Sequence, residues 1–132
     1  MKLNELLGTE FPLIQGGMAN IATGEFAAAC SNAGALGLIG SGGMNAEELR
    51  ANIRRCRERT DKPFGVNIML MHPEADTFAQ IVVEEGVRVV TTGAGNPGKY
   101  LPQWKQAGIT VLPVVSAALL AQHLEKMGAD AL

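Results

Sequence analysis

The chain has 132 residues, 47% of them hydrophobic and 18% charged, with a formal net charge of −2. That is enough apolar content for one packed domain and too much for a disordered chain, and the balance offers no basic face to nucleic acid. No apolar run reaches the roughly 20 residues a membrane-spanning helix needs, and the opening "MKLNELLGTE" is too polar for a signal peptide, so a cytoplasmic protein without membrane partners is expected.

The first predicted element is a strand at residues 12–15, inside "FPLIQGGMAN", which ends in Gln15, Gly16, Gly17 and Met18. A turn needs one glycine at most. Two imply a main chain that comes unusually close to something. Thr23 then precedes a helix predicted over 24–33, and "NAGALGLIG" leads through Gly34 into a strand at 36–40. Asn45, with Glu48 three residues on, gives a capping-box pattern at the head of a helix over 46–59. Within it "RANIRRCRER", Arg50 to Arg59, is the densest basic stretch. It reads as a solvated helix face, with the preceding "EEL" supplying carboxylate partners at helical spacing.

A strand is predicted at 64–70 and a helix at 74–85 opened by Pro73. A strand at 87–92, a helix at 102–107 with Pro102 in its first turn, a strand at 110–115 and a helix at 117–127 follow. A sixth strand starts at about Ala129.

One unit recurs along the chain: a helix ending in glycine and an apolar run directly after it, at Gly34, Gly86, Gly108 and Gly128, with Pro63 taking the glycine's place in "DKPFGVNIML". Glycine just past a helix fits the left-handed C-cap. The runs are continuously apolar, as strands are when both faces are buried in a parallel sheet. Alternating β and α elements predict an α/β fold with right-handed crossovers, either an open doubly wound sheet or a (β/α)8 barrel. Periodicity does not choose between them. The count is five complete units and the start of a sixth, against the roughly 250 residues of a full barrel.

Ligands of such folds bind at the carboxyl ends of the strands. The segments there are "QGGMAN", "GSGGMN", "NIMLMHP", "TTGAGNPG" and "VVSA", four of them rich in Gly, Ser, Thr or Asn. A single such loop needs glycine simply to turn; four together favour a ligand. Neither "GLIGSGGMN" nor "TTGAGNPG" completes a phosphate loop or a dinucleotide fingerprint. No Ser-His-Asp order and no paired carboxylates stand at strand ends, so carboxylate acid–base chemistry is not expected in this segment. Cys30 and Cys56 lie in different predicted helices, and His72 and His123 are isolated, so all four are read as structural or surface residues and no metal site is expected. Loops suited to a planar ligand, without catalytic side chains, point to a cofactor that carries the chemistry itself.

The segments "PLIQGGMA", "NAGALGLIGSGG", "TDKPFGVNIMLMHP", "VRVVTTGAGNPGKY" and "GITVLPVV" together resemble the flavin-dependent enoyl-acyl-carrier-protein reductase II family. That family lies within the wider nitronate monooxygenase (2-nitropropane dioxygenase) superfamily. The resemblance covers essentially the whole chain, with the motifs in order, and the "TTGAGNP" form points to the enoyl reductase branch. It implies a (β/α)8 barrel holding FMN at the carboxyl ends of its strands, with NADH or NADPH as reductant. Hydride would pass to the carbon–carbon double bond of an enoyl thioester on acyl carrier protein, in fatty-acid elongation.

Carried over by motif, Gly17, Met18 and Ala19 would lie against the flavin, with the paired glycines admitting the ring system. Asn67 would hydrogen-bond a ring or ribityl edge and Met69 would touch the cofactor, with Val114 a weaker candidate. The family's catalytic histidine and the loops that hold the FMN phosphate would fall beyond Leu132, and neither His72 nor His123 matches the histidine's position. No catalytic residue is therefore assigned in this chain. On this reading residues 1–132 are the N-terminal part of a single FMN-binding barrel domain, an incomplete barrel expected to have little activity alone. A homo-oligomer that covers the open sheet edges, or pairing with a missing half, is expected. Two other readings stay open: a nitronate monooxygenase using FMN and oxygen, and a non-catalytic α/β fragment.

Overall fold

A computed structural model describes residues 1–132. The elements run α1 (Leu3–Leu7), α2 (Gly24–Asn32), β1 (Gly37–Gly40), a 3-10 turn (Ser41–Gly43), α3 (Ala46–Arg59), β2 (Phe64–Met69), α4 (Ala75–Glu84), β3 (Val89–Gly93), α5 (Leu101–Gln106), β4 (Thr110–Pro113) and α6 (Ala118–Lys126). The four strands form one parallel sheet in the order β1-β2-β3-β4. A doubly wound sheet reverses its strand order at a switch point. This one does not, so of the two closures compatible with the sequence, the structure has the wall of a barrel.

The two faces of the sheet bury different things. Val66 and Ile68 of β2, Val90 of β3 and Val111 of β4 pack against the helices, with Leu49, Ile53, Phe78, Val82, Trp104 and Leu124 in one large core. Alternation along each strand turns Leu38, Val89 and Leu112 to the opposite, inner face, where they meet Leu36 and Leu7 of α1. A cleft at the amino ends of the strands, lined by Leu7, Gly8, Pro63, Arg88, Val89 and Thr110 among others, places α1 at that end.

The local signals for helices act as expected. Thr23 accepts the Phe26 N–H, and Asn45 and Glu48 exchange both bonds of a capping box. Gly34, Gly86, Gly108 and Gly128 all take positive φ, between 66° and 104°. Pro73 stands ahead of α4, whose cap is Glu74.

Two expectations need correction, and one helix was not among those expected. The strand at 12–15 is a single bridge, Ile14 to Leu36. Pro12 has no N–H to give, and after Gln15 the next rung is taken by a side chain: the Leu38 N–H donates to Gln15 Oε1 at 2.8 Å, and the main chain leaves the sheet. Helix α1 was not foreseen, although it ends on Gly8 at φ 69°, whose N–H bonds Asn4 O. The arginines of α3 pair with the neighbouring helices, not with their own first turn. Arg50 and Arg54 reach Glu85, Arg50 also reaches Glu84, and Arg59 reaches Glu25 of α2. Glu48 is held in the capping box, and α3 lies between two helices that present carboxylates to it. At the far end, Asp130 makes one rung on the free edge of β4, donating its N–H to Val111 O at 3.0 Å where the sixth strand was expected to start. No helix is long and apolar enough to cross a membrane.

Candidate functional site

The register puts Gly40, Asn67 and Thr91 side by side in one row across β1, β2 and β3. The row lies on the inner face, above Leu38 and Val89 toward the carboxyl ends of the strands, and continues into β4 at Leu112, the register partner of Thr91. Asn67 is its centre and is held on three sides. The Thr91 hydroxyl donates to Asn67 Oδ1 at 2.8 Å. The hydroxyl of the fully buried Ser41, from the turn after β1, donates to the Asn67 main-chain carbonyl at 2.6 Å. On the third side lies Gly17, where an added Cβ would stand 2.5 Å from Asn67 Cβ. The Asn67 amide nitrogen donates to no group of the chain.

The segment from Gln15 to Ala22 lies over this row. Its close approach is made to Gly40, where a Cβ would stand 2.7 Å from Met18 O and 2.8 Å from Gly17 O. The Gly40 N–H donates to Ala22 O at 2.8 Å. Gly17 is thus required by the chain's own packing on Asn67. Gly16 is not crowded, its nearest contact being Met18 Cγ at 4.0 Å.

Of the residues singled out from sequence, Gly17 touches Asn67, and Met18 sits over the row through its carbonyl. Met69 is two residues beyond Asn67 on the same face, paired with Gly93. Ala19 lies apart, beside Gly42, and Val114 follows β4 with its N–H on Thr92 O at 2.8 Å. The side chains of Met18, Met69 and Val114 are exposed, at 48%, 38% and 67%. Apolar side chains left in solvent at several strand ends make a surface that a flat, partly apolar ligand covers. A shallow cleft of about 280 Å3 opens between Ala94, Gly95, Val114, Val115, Ser116 and Leu120 beside it.

Sequence reasoning missed Ser41 and Thr91. Thr91 shares a face with Val89, two residues before it, but the neighbouring Thr92 is equally polar, so residue type alone did not single it out. The remaining candidates behave as structural groups. His72 accepts the Glu74 N–H on Nδ1 and packs on Phe78 with ring centres 4.6 Å apart. His123 is exposed on α6. The thiol of the buried Cys56 is pushed up to about 12 by burial, which keeps it protonated and unreactive.

The family model described as nitronate monooxygenase matches residues 1–132. The chain is 50% identical to FabK from Thermotoga maritima, with a TM-score of 0.94, over 97% of this chain and 41% of that one. It is 38% identical over 130 residues to the (3aS,4S,5R,7aS)-5-hydroxy-7a-methyl-1-oxo-octahydro-1H-indene-4-carboxyl-CoA dehydrogenase of Mycobacterium tuberculosis, covering 98% of this chain and 37% of the relative. Over 76 residues, 57% of this chain and 21% of the relative, it is 48% identical to a nitronate monooxygenase of Paraburkholderia phytofirmans. The chain therefore spans about two fifths or less of the length of these relatives.

Proposed function

We propose, from the premise that this chain belongs to the nitronate monooxygenase family, that it forms one wall of an FMN site in a barrel oxidoreductase. The observation that carries the reading is the unpartnered amide nitrogen of Asn67 on the inner face, at strand ends where Met18, Met69 and Val114 are exposed. A free donor near soft apolar side chains suits an isoalloxazine ring, which has apolar faces and acceptor atoms along its edge. The residues present fit the group.

The chemistry supplied by bound FMN would be hydride relay from NADH or NADPH to the carbon–carbon double bond of an enoyl thioester carried on acyl carrier protein. This chain's own part is binding and orientation. Asn67 donates to the cofactor edge, Met18 and Met69 keep water from it, and Gly17 leaves room for Asn67 to stand where it does. No carboxylate or histidine of this chain is assigned a proton-transfer role. The reductase branch is favoured by the "TTGAGNP" segment and by 50% identity to FabK over 97% of the chain. A second reading, a nitronate monooxygenase, is favoured by the relative from P. phytofirmans. The proposed assembly is a homo-oligomer, since β4 pairs beyond β3 only through the single rung at Asp130.

The discriminating experiment is a difference spectrum of the FMN-loaded chain, which needs no turnover. Crotonyl-pantetheine is expected to perturb the flavin band and nitroethane to leave it unchanged. The opposite pattern transfers the chain to the nitronate reading.

A further inference from the structure

We propose that Thr91 is a positioning residue that fixes Asn67 as a pure hydrogen-bond donor, so that the inner row demands a ligand presenting an acceptor atom, a carbonyl oxygen or a ring-nitrogen lone pair. The cofactor part of this inference rests on the FMN reading above; the orientation of Asn67 does not.

An asparagine side chain has an acceptor end and a donor end, and its surroundings decide which end goes where. A threonine hydroxyl can serve either end, so the contact alone is ambiguous. Burial removes the ambiguity. Thr91 is 6% exposed, and its hydroxyl has no partner other than Asn67. With Oδ1 toward Thr91, the hydroxyl proton is used. With the amide reversed, Thr91 would accept from Asn67 and its own proton would be left buried without an acceptor, which is unfavourable. The carboxamide oxygen therefore faces Thr91. The amide nitrogen is left on the Gly17 side, where an added Cβ would lie 3.6 Å from Nδ2 and no carbonyl of the chain accepts it.

The main chain of Asn67 is pinned independently, by Ser41 from the preceding strand's turn, so the residue has little freedom to move away from this arrangement. Threonine at 91 is then a requirement of ligand polarity at the site, beyond its role in filling a strand position.

The experiment uses the full chain with Thr91→Val, Thr91→Ser, Asn67→Asp and Asn67→Ala, each checked for a cooperative thermal melt. The first readout is the Asn67 side-chain amide pair in a proton–nitrogen NMR spectrum without any cofactor. Thr91→Val is expected to shift or broaden that pair, and Thr91→Ser to restore it. A pair unchanged in Thr91→Val overturns the proposal. The second readout is FMN affinity, followed by quenching of its fluorescence. Thr91→Val is expected to bind about tenfold more weakly and Thr91→Ser within about twofold of wild type. Asn67→Asp, which keeps the shape and the Thr91 bond but offers no donor, is expected to lose at least as much affinity as Asn67→Ala. Wild-type affinity in Asn67→Asp overturns the donor assignment. If the wild-type chain takes up no FMN, the cofactor reading falls, and the NMR comparison still decides the role of Thr91.

Discussion

Gly17 and Asn67 are in such close contact that a Cβ on Gly17 would stand 2.5 Å from Asn67 Cβ. The loop after the first bridge and the centre of the inner row therefore constrain each other. A side chain at position 17 must displace either the loop or the asparagine.

Gly17→Ala is accordingly expected to cost about 1–3 kcal/mol of stability, as overpacking does, and to weaken FMN binding by moving Asn67. Gly16→Ala is the internal control, since the nearest atom there is 4.0 Å away. Thermal melts and FMN titration of the two variants check the difference.

Glu85 sits at the end of α4 facing the arginines of α3. Its hydrogen bond from Arg54 holds the carboxyl below its ordinary value of 4.5, with Arg50 adding to the effect and desolvation opposing it. A carboxylate lowered on folding contributes stability that is complete above its ordinary value and fades as pH falls through the lower folded value. Stability is expected to hold from neutral pH down to about 5 and then decline. Glu85→Gln is expected to be less stable at neutral pH and to show a flatter decline below it, measured by urea midpoints across the acid range.

Trp104 is fully buried, stacks on Tyr100 with ring centres 5.2 Å apart, and donates Nε1–H to Ala79 O at 3.1 Å. Trp104→Ala is expected to cost about 3–5 kcal/mol, and Trp104→Phe less, chiefly the lost hydrogen bond. As the chain's one tryptophan, its emission reports wild-type unfolding directly; denaturant unfolding followed by circular dichroism compares the variants.

Asp130 joins the end of the chain to β4. Its carboxylate accepts the Val111 N–H at 2.8 Å and is bonded by Lys105 Nζ at 2.6 and 2.7 Å. Asp130→Ala is expected to speed hydrogen exchange at Val111 by about tenfold or more, since the carboxylate that accepts the Val111 N–H and its Lys105 clamp are lost. Asp130→Asn, which keeps an acceptor for Val111, is expected to change it less.

How legible these features were depends on the range of the forces that set them. Caps at Thr23 and Asn45 and the glycines closing four helices are local, and they were readable from neighbouring residues. So was the parallel sheet, because Val66, Ile68, Val90 and Val111 form runs whose apolar character needs no partner to be seen. Its singly wound order was not readable, because strand order is a property of crossovers between distant segments. The strand at 12–15 failed on a detail of the same kind: Gln15 spends its side chain on Leu38, 23 residues away. The arginines of α3 chose partners 28 to 35 residues away over carboxylates in their own helix. In the candidate site, Asn67 and Gly17 stood out as residue types, whereas Thr91 and Ser41 act through their register with Asn67. That register appears only once the strands are paired.

The most direct test is the visible absorbance spectrum of the purified 132-residue chain, before and after adding FMN and removing the excess. A retained flavin band, shifted from that of free FMN, is expected, with a weaker band in Asn67→Ala. A chain that stays colourless after incubation with FMN would contradict the FMN reading.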